Sequence, residues 1–163
     1  MKSLDSMIIV LYGVIVVFFL YRIFRQMKDK NKLKGEVKAF SRPSSTFEVI
    51  LFSVLTVTGI VNLYFGYLQA NRQNMLTALV MIALAVVFMI STKSKLYVGE
   101  NGILSNASFS AYKQVKKWGF DQENGDFVML VKDNKGESKE VTKVKKEDME
   151  EINTLIRRYK LGK

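Results

Sequence analysis

The segment MIIVLYGVIVVFFLYRIF, residues 7–24, carries no charge before Arg22. At about 1.5 Å per residue its helix reaches about 27 Å, close to the thickness of a bilayer's hydrocarbon core. Two more apolar blocks follow: FEVILFSVLTVTGIVNLYFGYLQ at 47–69, and MLTALVMIALAVVFMI at 75–90, which extends through Ser91 and Thr92. The sequence therefore predicts three transmembrane helices, over about 7–24, 47–69 and 75–92. The short connector ANRQN, residues 70–74, makes the last two an antiparallel hairpin. A soluble helical bundle is the alternative, but its helices need one polar face each. Ile8 to Leu20 and Leu79 to Ile90 are apolar all round. A cleaved signal peptide is the alternative for the first block. Bulky Phe, Tyr and Arg follow it instead of small residues, and the charge excess lies after it, so an uncleaved helix is expected.

The chain has 163 residues and a net charge of +10, from 25 Lys and Arg against 15 Asp and Glu. Such an excess invites a nucleic-acid reading. Its distribution argues otherwise, because Arg22, Arg25, Lys28, Lys30, Lys32, Lys34, Lys38 and Arg42 crowd beside the first apolar block, while beyond residue 90 both signs are mixed. Arginine and lysine are retained on the cytoplasmic side of short loops. The basic loop, 25–46, is thus expected in the cytoplasm, and only Lys2 and Arg72 flank the opposite side. The amino terminus and the 70–74 connector are then outside, and the chain after Ile90 is inside, in a multi-pass protein of the cell membrane. Cations near an anionic leaflet contribute about 1 kcal/mol each. Arg22, Arg25, Lys28, Lys30, Lys32 and Lys34 are accordingly candidate contacts for anionic lipid or a partner, although topological retention alone accounts for them.

On the second helix Glu48, Thr58, Gly59, Asn62, Gly66 and Gln69 fall within about 100° of arc, with Leu51 and Leu55 among them. An amide inside a span seeks a partner helix, and glycines let that partner approach. Thr58, Gly59, Asn62 and Gly66 are therefore candidate packing residues, against another span or a second copy. A cavity for a polar solute is the alternative, in a transporter-like or channel-modulating protein.

Residues 93–163 read as a small α+β domain following the 1–92 membrane region. Turns at ENG 100–102, ENGD 123–126 and DNKG 133–136 punctuate it, since Asn and Gly tolerate the positive φ of tight hairpins. Five strands are expected, at about 95–99, 102–110, 113–121, 126–132 and 137–144, with FVMLVK at 127–132 central. Trp118 and Phe120 share a parity that Val115 does not, which implies a bulge or an exposed valine. The segment 145–160 reads as an amphipathic helix with the stripe Met149, Ile152, Leu155, Ile156 and Tyr159. Its acidic start and basic end suit the helix dipole.

An antiparallel meander closed by one helix, with GENGIL at 99–104 and KQVKKWGF at 113–120, resembles the uncharacterised bacterial integral membrane proteins that carry a C-terminal cytoplasmic PH-like domain. The resemblance covers roughly 95–160. Five strands are fewer than the full barrel, so it implies a shortened or open version, and it carries over no phosphoinositide-binding residue. Lys113, Lys116 and Lys117 are candidate contacts for the inner leaflet or an acidic partner. A solvated strand face explains them as well.

The chain contains no histidine and no cysteine, which removes the commonest base and metal ligands. It shows no phosphate-binding glycine loop and no nucleophile elbow, and Glu147, Asp148, Glu150 and Glu151 sit where a helix dipole favours them. No enzymatic activity, cofactor or metal is expected. The expected function is an accessory or scaffold subunit, an integral membrane protein with an interaction or regulatory module. Membrane lipids, another membrane protein or a second copy of the chain are the expected partners. A membrane-tethered nucleic-acid binder is a further alternative that the charge distribution disfavours.

Overall fold

An apolar run without interruption satisfies its backbone hydrogen bonds internally as a helix, and three such helices form. The computed structural model describes residues 2–93, 95–106 and 108–162; the side chain of Lys2, like those of residues 3–5, lies outside the described ones. Helix α1 spans Lys2–Lys30, α2 Thr46–Leu68 and α3 Arg72–Thr92. Each is long and apolar enough to cross a membrane. The chain divides into two units, Met1–Arg22 with Ser44–Thr92, and Ile23–Pro43 with Lys93–Lys163.

In the first unit α2 and α3 pack along each other as an antiparallel hairpin. Their contact is built on small residues: Gly59 and Gly66 of α2 and Ala78 and Ala85 of α3 are buried. The connector is shorter than expected, because Asn71 Oδ1 accepts the N–H groups of Gln73 at 3.1 Å and Asn74 at 3.3 Å. That side-chain cap starts α3 at Arg72, and the chain reverses through Ala70 in the left-handed region at φ 50°. Phe19 of α1 meets Phe88 of α3 edge-on, with ring centres 6.2 Å apart. Most large apolar side chains of the three helices are otherwise exposed.

The second unit holds two antiparallel sheets. One is ordered β1-β2-β3-β4, from Val37–Ser41, Lys95–Gly99, Gly102–Ser105 and Ser108–Ala111, and the other β5-β6-β7, from Val115–Asp121, Asp126–Asp133 and Gly136–Lys143. The sheets meet where Asn106 Nδ2 donates to Val141 O at 2.7 Å and the Ser105 and Thr142 hydroxyls bond to each other. A 3-10 turn at Lys146–Asp148 leads into α4, Met149–Leu161. Phe40, Leu96, Val98, Ile103, Val115, Phe127, Met129 and Val131 form one core with Ile152 and Ile156 of α4. Each isoleucine so buried contributes about 1.5–3 kcal/mol.

Three expectations change. The basic segment 25–46 is not a loop throughout: α1 continues to Lys30, and residues 37–41 form β1, an edge strand of the four-stranded sheet. There are seven strands among the described residues, not five. The strand expected at 102–110 is two, β3 and β4, broken at Asn106 with φ 47°, while Ala107 lies outside the described residues. At Val115 the bulge is the alternative realised: the register shifts between Val115 and Lys117, and Val115 is buried. The expected strip on α4 holds, with Ile152 and Ile156 buried and Met149, Leu155 and Tyr159 packed beside them.

Candidate interaction surfaces

The basic segment is ordered by the residues it carries. Asp29 is only 6% exposed, and a carboxylate buried this far needs cationic partners. Lys32 Nζ lies 2.6 Å from its Oδ1 and Arg25 Nε 3.9 Å from its Oδ2. Beyond the helix end, Asn101 of the β2–β3 turn takes both sides of the backbone: its Oδ1 accepts Lys34 N–H at 2.9 Å, and its Nδ2 donates to Lys32 O at 2.8 Å. Lys30 Nζ stands 5.0 Å from the centre of the Tyr97 ring. Of the six candidate contacts in this segment, Arg25, Lys30 and Lys32 are thus engaged within the chain, and all six remain exposed.

Lys113, Lys116 and Lys117 are exposed around the start of β5. Beside them Lys160 of α4 donates to Tyr112 O at 3.0 Å and to Val115 O, and lies 5.8 Å from the centre of the Trp118 ring. Burial, and then the charge of Lys116, holds the Lys160 ammonium below its ordinary pKa. The Tyr112 hydroxyl donates to Gly99 O at 2.6 Å, and burial, with Tyr159 adding to it, pushes that phenol well above its ordinary range. Trp118 Nε1 donates to Asn153 Oδ1 at 3.1 Å, tying β5 to α4.

On α2 the structure brings three of the four packing candidates to α3. A Cβ at Gly59 would lie 2.8 Å from Ile82 Cγ1, one at Gly66 would lie 3.0 Å from Met75 N, and Asn62 Nδ2 approaches Met81 Sδ at 3.9 Å. Thr58 is not brought to α3: it is exposed and lies off the stripe that Gly59, Asn62 and Gly66 present to that helix.

Sequence reasoning missed β1, the Asp29 pairing and Glu140. Glu140 lies on β7 opposite Met129, and its Oε2 is buried without a hydrogen bond. Burial raises its pKa, against a Ser108 hydrogen bond and the charge of Arg25, which lower it. A raised carboxyl pKa means that the folded state holds the proton more tightly, so stability falls as pH rises through the window between the unfolded and folded values. Glu140→Gln is expected to raise the thermal midpoint at pH 7, with the gain vanishing below about pH 4, where both states of the parent are protonated. Fluorescence of Trp118, the single tryptophan, followed on heating at several pH values, checks this; a destabilised variant at pH 7 counts against it.

Residues 94–161 match the family model described as a domain of unknown function (DUF5673). The match takes in β2 to β7 and α4 and leaves out β1 and the three long helices. No curated protein and no solved structure matches the chain.

Proposed function

We propose that this chain is a multi-pass membrane protein, amino terminus outside, whose cytoplasmic PH-like domain is a binding module rather than an enzyme, serving as an accessory or scaffold subunit. One observation carries the reading. Strand β1 precedes α2 and strand β2 follows α3, yet the two pair from Val37↔Gly99 to Ser41↔Lys95. A strand ladder is not divided by a bilayer, since lipid leaves open sheet edges unsatisfied. Both segments then share one compartment, and the α2–α3 hairpin between them crosses and returns. The exposed apolar surface of the three helices suits lipid and is far larger than soluble monomers expose. The basic flank supports the cytoplasm as the shared side.

Two antiparallel sheets, of four and three strands, followed by a closing helix support the PH-like reading. Gly59, Asn62 and Gly66 are spent on α3, which favours an anchoring hairpin over a solute pathway. The absence of native cysteine makes the topology directly testable. In intact cells a membrane-impermeant maleimide is expected to label Gln69→Cys, and to label Lys135→Cys only after permeabilisation. Labelling of Lys135→Cys from outside would overturn the orientation.

A further inference from the structure

We infer that the outer face of the β5-β6-β7 sheet docks a second copy of this chain, with Val141 of each copy seated over Gly119 of the other. The inference rests on the binding-module reading and assigns it a surface and a partner.

Trp118, Phe120, Phe127 and Met129 pack in the core, and successive residues of a strand point to opposite faces. Gly119, Val128 and Val141, which stand opposite one another in the register, therefore turn away from that core, together with Leu130. The face they make is apolar at its centre and uncovered: Leu130 is 37% and Val141 40% exposed. Gly119 is the odd member. A glycine inside a strand weakens it, and marks a bulge, a tight bend or the close approach of another group. The bulge of β5 lies elsewhere, between Val115 and Lys117, and from Lys117 to Asp121 the pairing with β6 runs on without a break. Gly119 is not among the glycines with positive φ, and no atom of this chain stands within 4 Å of where its Cβ would be. What the missing side chain leaves is a hollow of about 320 Å³, lined by residues 117–121 of β5 with Val128 and Leu130.

Shape and charge select the occupant. Hollow and knob lie on the two sides of β6 in one row, Gly119, Val128 and Val141. A two-fold axis running along β6 between two such faces exchanges the ends of that row. Val141 of each copy then enters the hollow of the other, while Val128 meets Val128 and Leu130 meets Leu130. The contact is isologous, in the aligned arrangement that packed sheets adopt. In the next row Asp121 and Lys143 stand at the two ends with Asp126 between them, so the same rotation sets Lys143 of each copy against Asp121 of the other. In the row on the opposite side Lys117 faces Lys139, and both are exposed and long enough to turn their charges into solvent. An anionic leaflet is matched poorly by a face that carries Asp121, Asp126 and Glu137 among its lysines. The lysine pairs keep the contact weak. The membrane offsets that weakness, because two copies inserted with one orientation in one bilayer meet at a raised effective concentration.

The test uses the full chain in zwitterionic liposomes. The chain has no native cysteine, so Lys132→Cys, exposed on β6 beside the axis, reports on the face, and Glu147→Cys, exposed between β7 and α4, is the control. A short bis-maleimide is expected to join Lys132→Cys chains in pairs and to leave Glu147→Cys chains single. Gly119→Leu fills the hollow and is expected to weaken pairing at least about tenfold, or about 1.4 kcal/mol, at an undiminished thermal midpoint. Gly119→Val with Val141→Ala moves the knob to β5 and the hollow to β7. That double variant is expected to regain the pairing that Gly119→Val alone loses, a recovery that no role confined to one chain produces. Should Gly119→Leu lower the thermal midpoint, Lys143→Glu decides, by weakening pairing from an exposed site. Failure of the double variant to recover overturns the seat of Val141 over Gly119. Pairing that ignores all these substitutions, or that joins Glu147→Cys as readily, overturns the face but leaves the module reading standing. Single chains throughout overturn the second copy as occupant, whereas the module reading falls only on labelling of Lys135→Cys from outside intact cells.

Discussion

Residues 28–41 joined through a tight Asn-Gly turn to residues 95–162 are expected to fold cooperatively in water, whereas residues 93–162 alone are expected to remain largely unfolded. The register dictates the junction: Ser41 and Lys95 are the terminal pair of the β1–β2 ladder, so a short turn of the type that closes hairpins replaces the two helices. Starting at Lys28 leaves out Phe24 and Met27, which are 68% and 65% exposed on α1. Phe40 gives the expected difference its size. Its side chain is 3% exposed within the core of the second unit, and Phe40→Ala alone costs about 3–5 kcal/mol. Deleting β1 also removes the ladder to β2 and the contacts that Asn101 makes with Lys32 and Lys34. Against a net stability of about 5–15 kcal/mol for a typical domain, that loss removes most of the margin. Denaturant titration followed by circular dichroism and Trp118 emission compares the two proteins. Equal midpoints would show that β1 is dispensable, and the topological argument drawn from its pairing would fall with it.

The parts of this molecule legible in its sequence are those where one residue type recurs with a period. The three long helices, the central strand at Phe127–Val131 and the stripe of α4 are of that kind. The parity conflict at Val115 was legible too, because a bulge is the ordinary way for a strand to turn both the buried Val115 and the partly buried Trp118 toward one core. Strand β1 was not. Only Phe40 of its five residues is buried, so VKAFS shows no alternation, and its partner lies beyond two entire helices. Gly35 and Pro43 were the available signal, since they bracket the segment as turn residues bracket strands. The break between β3 and β4 hid for a different reason: Asn106 takes the left-handed region without glycine or proline to announce it. The seam between β5 and α4 depends on Trp118 meeting Asn153 in space, which no local pattern encodes.

In the hairpin, Gly66→Ala is expected to destabilise the α2–α3 pair by about 1–3 kcal/mol, more than Gly59→Ala, while Gly13→Ala is neutral to stabilising. In a helix interior glycine is less favourable than alanine by up to about 1 kcal/mol, so propensity alone argues that all three substitutions should help. Neighbours reverse the sign. A Cβ at Gly66 would meet Met75 N at 3.0 Å and Asn74 Cβ at 3.2 Å, atoms held by the Asn71 cap at the start of α3. At Gly59 the closest atom is Ile82 Cγ1, at 2.8 Å, and a side chain can rotate where a backbone nitrogen cannot. Gly13 has nothing within 4 Å and serves as the control for propensity. Asn62→Leu is expected to matter less than Gly66→Ala, because a donor 3.9 Å from a thioether sulfur is a weak partner. Unfolding in mixed micelles, read by a fluorophore pair placed on α2 and α3, ranks the four variants. A Gly66→Ala protein as stable as Gly13→Ala would mean that the helices do not approach at that glycine. The small-residue seam would then no longer account for the hairpin.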